Sequence, residues 1–127
     1  MSLTLDLLPD ILAICRLPPD APVPAWATVP GPFLTISRTP EELSITLAQQ
    51  AVPAGIRCER DYRALRVHGT LPPNLIGILL SIAKPLADAG LAIFAISTYD
   101  TDYVLVKLGD VPAALSALRA AGHQVSG

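Results

Sequence analysis

Residues 62–107 read YRALRVHGTLPPNLIGILLSIAKPLADAGLAIFAISTYDTDYVLVK, and the hydrophobic period changes several times along them. Leu65 and Val67 alternate with Arg66 and His68, which is the pattern of a half-buried strand. TLPPN breaks the pattern. Leu75, Ile78, Leu79, Ile82 and Leu86 then recur at helical spacing, with Asn74 placed to cap the start and Gly90 placed just past the end. Pro85 falls inside this helix and is expected to kink its last turn. LAIFAIS and YVLVKL read as two more strands. Beyond them, Asp110 precedes a second helix, VPAALSALRAAG, with Pro112 in its first turn and Gly122 at its end. His123 opens a final short strand and is expected to be solvated. The order β-α-β-β-α-β is that of a ferredoxin-like unit, so the fold class is α+β, with an antiparallel sheet carrying two helices on one face.

The N-terminal half follows the same plan less regularly. LTLDLLPDILAICRLP gives one or two strands around Pro9. The segment from Pro18 to Pro32 holds too many prolines for a regular helix or a central strand. FLTISRT and LSITLAQ flank Pro40-Glu41-Glu42 as a hairpin. This reads as a β-x-β-β-x-β module whose helices are lost or shortened, with Trp26 plugging the open side. The expected division is a degenerate N-terminal module over 1–60 and a complete module over 61–127.

Composition narrows the function. Of 127 residues 51% are hydrophobic and only 16% charged, which excludes a disordered chain and leaves apolar surface for a subunit interface. The net charge is −2 with no Lys/Arg run, so no nucleic-acid partner is expected. The apolar stretch from Leu75 to Ile96 is broken by Lys84, Pro85, Asp88 and Gly90, whereas a membrane span needs roughly 20 apolar residues in a row. No signal peptide is evident at the N-terminus. Cys15 and Cys58 read as buried thiols of a reducing compartment, and a soluble cytoplasmic protein is expected.

The polar cluster Ser97, Thr98, Tyr99, Asp100, Thr101, Asp102 and Tyr103 is longer than a turn requires. Read from the residues, Asp102 is either a solvated turn residue or a carboxylate awaiting a cation. Gly77 has two readings as well: close packing of the helix on the sheet, or room for a ligand near the helix N-terminus, where unpaired amides favour an anion. Asp100 and Asp102 alone make too thin a shell for a metal. There is no P-loop, G-x-G-x-x-G or G-x-S-x-G, and neither His68 nor His123 lies in a nucleophile–base motif. No enzyme activity and no cofactor are expected.

The run from Ala64 to Lys107, with its GI, AKPLADAG and ISTYDTDYVLV elements, resembles the ACT-domain subfamily of small bacterial amino-acid-binding proteins and the CASTOR arginine sensors. FLTISRTPEELSITL resembles the partner half. The resemblance implies two ACT modules in tandem, a free amino acid bound between them, a homodimer, and a regulatory rather than catalytic role. The alternative is a structural or adaptor protein that uses the ACT-like interface only for assembly. The ligand residues it implies are Asn74, Leu75, Ile76 and Gly77 at the loop-to-helix segment, with Ser97, Thr98 and Asp102 in the hairpin turn. The arginine sensors carry an acidic residue in that segment, whereas Leu75 has no charge to offer a guanidinium.

Overall fold

A computed structural model describes all residues from Met1 to Gly127. Its strands are β1 (Thr4–Leu7), β2 (Leu12–Leu17), β3 (Leu34–Arg38), β4 (Leu43–Ala48), β5 (Cys58–Val67), β6 (Phe94–Ser97), β7 (Asp102–Lys107) and β8 (Gln124–Ser126), with helices α1 (Ile78–Asp88) and α2 (Val111–Ala120). Two compact units result: Asp10–Tyr62, and Met1–Pro9 together with Arg63–Gly127. Strand β5 begins in the first and ends in the second.

The second unit holds β5-α1-β6-β7-α2-β8, the expected ferredoxin-like order. Its strands lie as β6-β7-β5-β1-β8. The sequence reading grouped residues 1–9 with the N-terminal half, but β1 is inserted here, antiparallel to β5 and parallel to β8. Leu5 faces Val67 and Leu7 faces Leu65, which extends one apolar face by a strand. Alternation marks β1 as a strand but carries no record of its partner, which lies some sixty residues away. That face packs on α1 through Ile78, Ile82 and Leu86 and on α2 through Val111, Ala114 and Leu118. Each large side chain fully buried there contributes about 1.5–3 kcal/mol.

Helix α1 starts at Ile78, three residues later than its apolar spacing suggests. Pro72, Pro73 and Asn74 form a turn closed by the Leu75 amide donating to the Pro72 carbonyl at 3.1 Å. Gly77, at φ +84°, is the N-cap, so Asn74 caps nothing. A side chain at that φ is strained, so the glycine is required by the chain's path. The C-terminal end matches expectation. Gly90 donates to the Ala87 carbonyl and Leu91 to that of Leu86, the paired bonds of a Schellman motif, and Gly122 and His123 repeat them at the end of α2.

Pro85 has no amide to give the Ser81 carbonyl. His123 supplies the missing donor: its Nε2 lies 2.8 Å from that oxygen, while Nδ1 accepts from the Leu3 amide at 3.0 Å. His123 is therefore 4% exposed and fixed as the Nε2–H tautomer, not solvated.

In the unit Asp10–Tyr62 the strands lie as β3-β4-β2-β5, all antiparallel. Where a ferredoxin-like unit would have helices there are only 3₁₀ turns, Ala25–Ala27 and Gln49–Ala51. Ala13, Cys15, Ala27, Leu43, Ile45 and Leu47 form the core, and Trp26 packs half-buried against it. Arg38 ties the proline-rich segment to β3 by donating to the carbonyls of Pro19 and Ala21. A bulge shifts the β2–β5 register between Leu12 and Ile14, and on β5 Asp61 sits at φ +66°. Gln49 holds it there from both sides: Asp61 N–H donates to Gln49 Oε1 at 2.6 Å, and Gln49 Nε2 donates to Asp61 Oδ1 at 2.9 Å.

Candidate functional site

The loop between β5 and α1 and the turn between β6 and β7 meet in the ferredoxin-like unit. The turn, residues 98–101, closes on itself: the Thr98 amide donates to the Thr101 carbonyl at 2.9 Å, and the Thr98 hydroxyl to the same oxygen at 3.1 Å. Thr101 is buried and its hydroxyl donates to the Val67 carbonyl at 2.9 Å, pinning the turn to the end of β5. The Asp100 carbonyl accepts from the Leu71 amide at 2.7 Å, pinning it to the loop.

Between loop and turn lies a cleft of about 300 Å³. Leu71, Pro72, Pro73 and Leu75 form an apolar wall, Ile78 comes from the first turn of α1, and Thr98 to Asp102 form the polar wall. Two prolines make the apolar wall stiff, since each fixes its own φ. Asp100 and Asp102 are the charged side chains that line it, and no Lys, Arg or His does so. The cleft therefore favours a positively charged group. No side chain caps α1, so first-turn amides remain for an anion or for water.

Of the seven residues expected at the site, the cleft brings together Leu75, Thr98 and Asp102. Ser97 does not line it but reaches it through Asp102, donating to Oδ1 at 2.6 Å across the last pair of the hairpin. Asn74 is exposed on the proline turn, and Ile76 is 87% exposed. Gly77 opens on a separate hollow beside Leu80, Ser81 and Lys84. Leu71, Pro72, Pro73 and Ile78 were not expected to line a site, whereas Tyr99, Asp100 and Thr101 belong to the polar cluster expected to form one wall, Asp100 as a turn residue. Pro72 and Pro73 carried a signal, because a Pro-Pro pair directly before a helix makes a rigid wall as well as a break.

Away from the cleft, Asp6 on β1 accepts from His68 at 3.0 Å and Arg66 at 3.1 Å through Oδ2, and from Ser126 at 3.2 Å through Oδ1. The hydrogen bond from His68, followed by those from Arg66 and Ser126, holds its carboxyl below the usual range against an opposing effect of burial. No three His, Cys, Asp or Glu side chains converge as metal ligands. No helix is long and apolar enough to cross a membrane.

A model of the ACT domain matches residues 57–120, half of the chain, and the model of an N-terminal domain matches residues 10–55. The chain is 28% identical over 93 residues to putative protein CASTOR3P of Homo sapiens, a match that takes in 63% of this chain and 57% of that one. It thus spans little more than half the length of that relative. Protein Atu0741 from Agrobacterium tumefaciens has a similar crystal structure, with a TM-score of 0.93 at 32% identity over 99% of this chain and 93% of that one. The ligand-free regulatory subunit of aspartate kinase from Thermus thermophilus superposes with a TM-score of 0.61 at 14% identity, over 88% and 93% of the two chains, which is a likeness of fold. With the family match spanning half its length and a 32% identical relative aligned almost end to end, the chain belongs to the ACT domain family.

Proposed function

We propose that this protein is a non-catalytic sensor that binds a free amino acid between ACT modules, the cleft supplying one wall of the site. Membership of the ACT family and the likeness to a regulatory subunit support a regulatory role. The observation that carries the ligand reading is the cleft itself: a carboxylate wall next to an uncapped helix N-terminus. An amino acid carries both complementary charges. Its ammonium would go to Asp102 and its carboxylate to first-turn amides of α1, where Ile78 lines the cleft. A volume of about 300 Å³ is at the small end of ligand pockets and suits a ligand of that size.

We further propose that Asp10–Tyr62 is a degenerate ACT module, its helices replaced by 3₁₀ turns, and that the protein acts as a cytoplasmic homodimer. The strand order β3-β4-β2-β5 supports the first point. Exposed apolar side chains on the loop and first turns of α1, Leu75, Ile76 and Leu80, support the second.

Calorimetric titration with each of the twenty amino acids tests the reading. Saturable binding of at least one is expected. Failure of all of them at millimolar concentration would leave the assembly-only role in its place. Light scattering on the same samples tests the dimer, which a particle of 13.4 kDa at micromolar concentration would exclude.

A further inference from the structure

Cys15 on β2 and Cys58 at the start of β5 are direct partners across the antiparallel pair, although 42 residues separate them in the chain. Both are free thiols. The neighbouring pair, Arg16 and Arg57, is joined by a backbone bond from the Arg16 amide to the Arg57 carbonyl at 2.9 Å. Hydrogen-bonded and non-hydrogen-bonded pairs alternate along such a ladder, so Cys15 and Cys58 occupy a non-hydrogen-bonded position. There the Cα atoms approach to about 4.5 Å, inside the separation a disulfide spans but at its near edge. The two sulfurs are also unequal in access. Cys15 is 1% exposed in the core, whereas Cys58 is half-buried at its margin.

We propose that Cys15 and Cys58 form a reversible cross-strand disulfide, making the unit Asp10–Tyr62 a redox-sensitive latch. The oxidant is a small disulfide of the glutathione class. Access orders the steps. The Cys58 thiolate attacks one sulfur of the small disulfide, forms a mixed disulfide and releases the first small thiolate. Cys15 then loses its proton, attacks the Cys58 sulfur and releases the second. Two protein thiols lose two electrons, the small disulfide gains them, and the two protons end on the two small thiols. Burial first, and then the neighbouring Cys58, push the Cys15 thiol up to about 11. Once Cys58 is in the mixed disulfide, that second influence is gone and the attack becomes easier.

The test exposes the full chain to oxidised glutathione and follows intact mass, thiol titration and the urea midpoint. The expected product is a single chain lighter by two hydrogens, with no titratable thiol, a higher urea midpoint from the constrained unfolded state, and full reversal by dithiothreitol. Cys15→Ala should instead halt at a stable glutathione adduct on Cys58, and Cys58→Ala should leave Cys15 unmodified. Persistence of both thiols in the parent, an adduct that never resolves, or a disulfide between chains would each overturn the proposal. So would an oxidised chain whose urea midpoint equals that of the reduced one.

Discussion

Ser97 and Asp102 face each other as the last pair of the β6–β7 hairpin, and the Ser97 hydroxyl donates to Asp102 Oδ1 at 2.6 Å. This bond fixes the carboxylate on the wall of the cleft. Asp102→Asn keeps the shape and removes the charge. A hydrogen bond between charged groups is worth about 1.5–3 kcal/mol, so amino-acid affinity should fall roughly 10- to 100-fold with little change in fold stability. Asp100, whose backbone rather than side chain ties the turn to Leu71, should tolerate the same change with about a threefold effect at most. Isothermal titration of both variants decides, and equal affinity for the parent and Asp102→Asn would remove Asp102 from the site.

His123 and Pro85 offer a stability test. His123→Ala removes the partners of the part-buried Ser81 carbonyl and Leu3 amide, at about 1 kcal/mol for each. Pro85→Ala restores a helix amide to the Ser81 carbonyl, so the double variant should recover about 1 kcal/mol relative to the additive sum. A urea double-mutant cycle with no coupling would show that His123 does not replace the missing amide.

The Asp6 cluster gives the acid limb a specific contributor. Its carboxyl is lowered in the folded state, so its stabilisation is complete above the ordinary carboxylate range, near pH 4, and is lost as pH falls through the lower folded value. Asp6→Asn should cost about 1 kcal/mol or less at neutral pH, and the two proteins should converge below pH 4. Urea midpoints measured from pH 7 down to pH 3 check the sign, and a gap that widens on acidification would refute it.

Trp26→Ala tests whether the proline-rich segment is a packed cover. A fully buried tryptophan costs about 3–5 kcal/mol on truncation, and this half-buried one should cost about 2. The parent's indole emission should be blue-shifted relative to free tryptophan. Red, water-like emission with unchanged stability would make the segment a loose tether instead.

The ferredoxin-like half was legible because its signals are local. Leu65 and Val67 declare a strand within three residues, Ile78, Ile82 and Leu86 declare a helix face within nine, and Gly90 and Gly122 sit at the positions Schellman motifs need. The errors came from relations between distant elements. The burial of His123 follows from an amide missing at Pro85 on another helix, and the placement of β1 follows from partners near both Val67 and Val125. The start of α1 was misread because Asn74 is a good cap in isolation, whereas the Pro72–Pro73 turn delays the helix until Gly77 allows it. Leu75, Thr98 and Asp102, implied by the resemblance, do come to line one cleft. Tyr99, Asp100 and Thr101 were visible as part of the cluster but could not be assigned a direction from spacing alone.

Strand β1 also makes the folding of its unit depend on distant parts of the chain. Leu3 accepts from the Gln124 amide at 2.9 Å and Thr4 pairs with Gln124, far along the chain. The unit Asp10–Tyr62 is one contiguous stretch of chain. The unit containing β1 has contacts that span the whole chain, and such pairings form slowly. Leu3, Leu5 and Leu7 therefore stay uncovered until segments near Val67 and Val125 reach them, and a transiently exposed apolar strand of this kind is prone to aggregate.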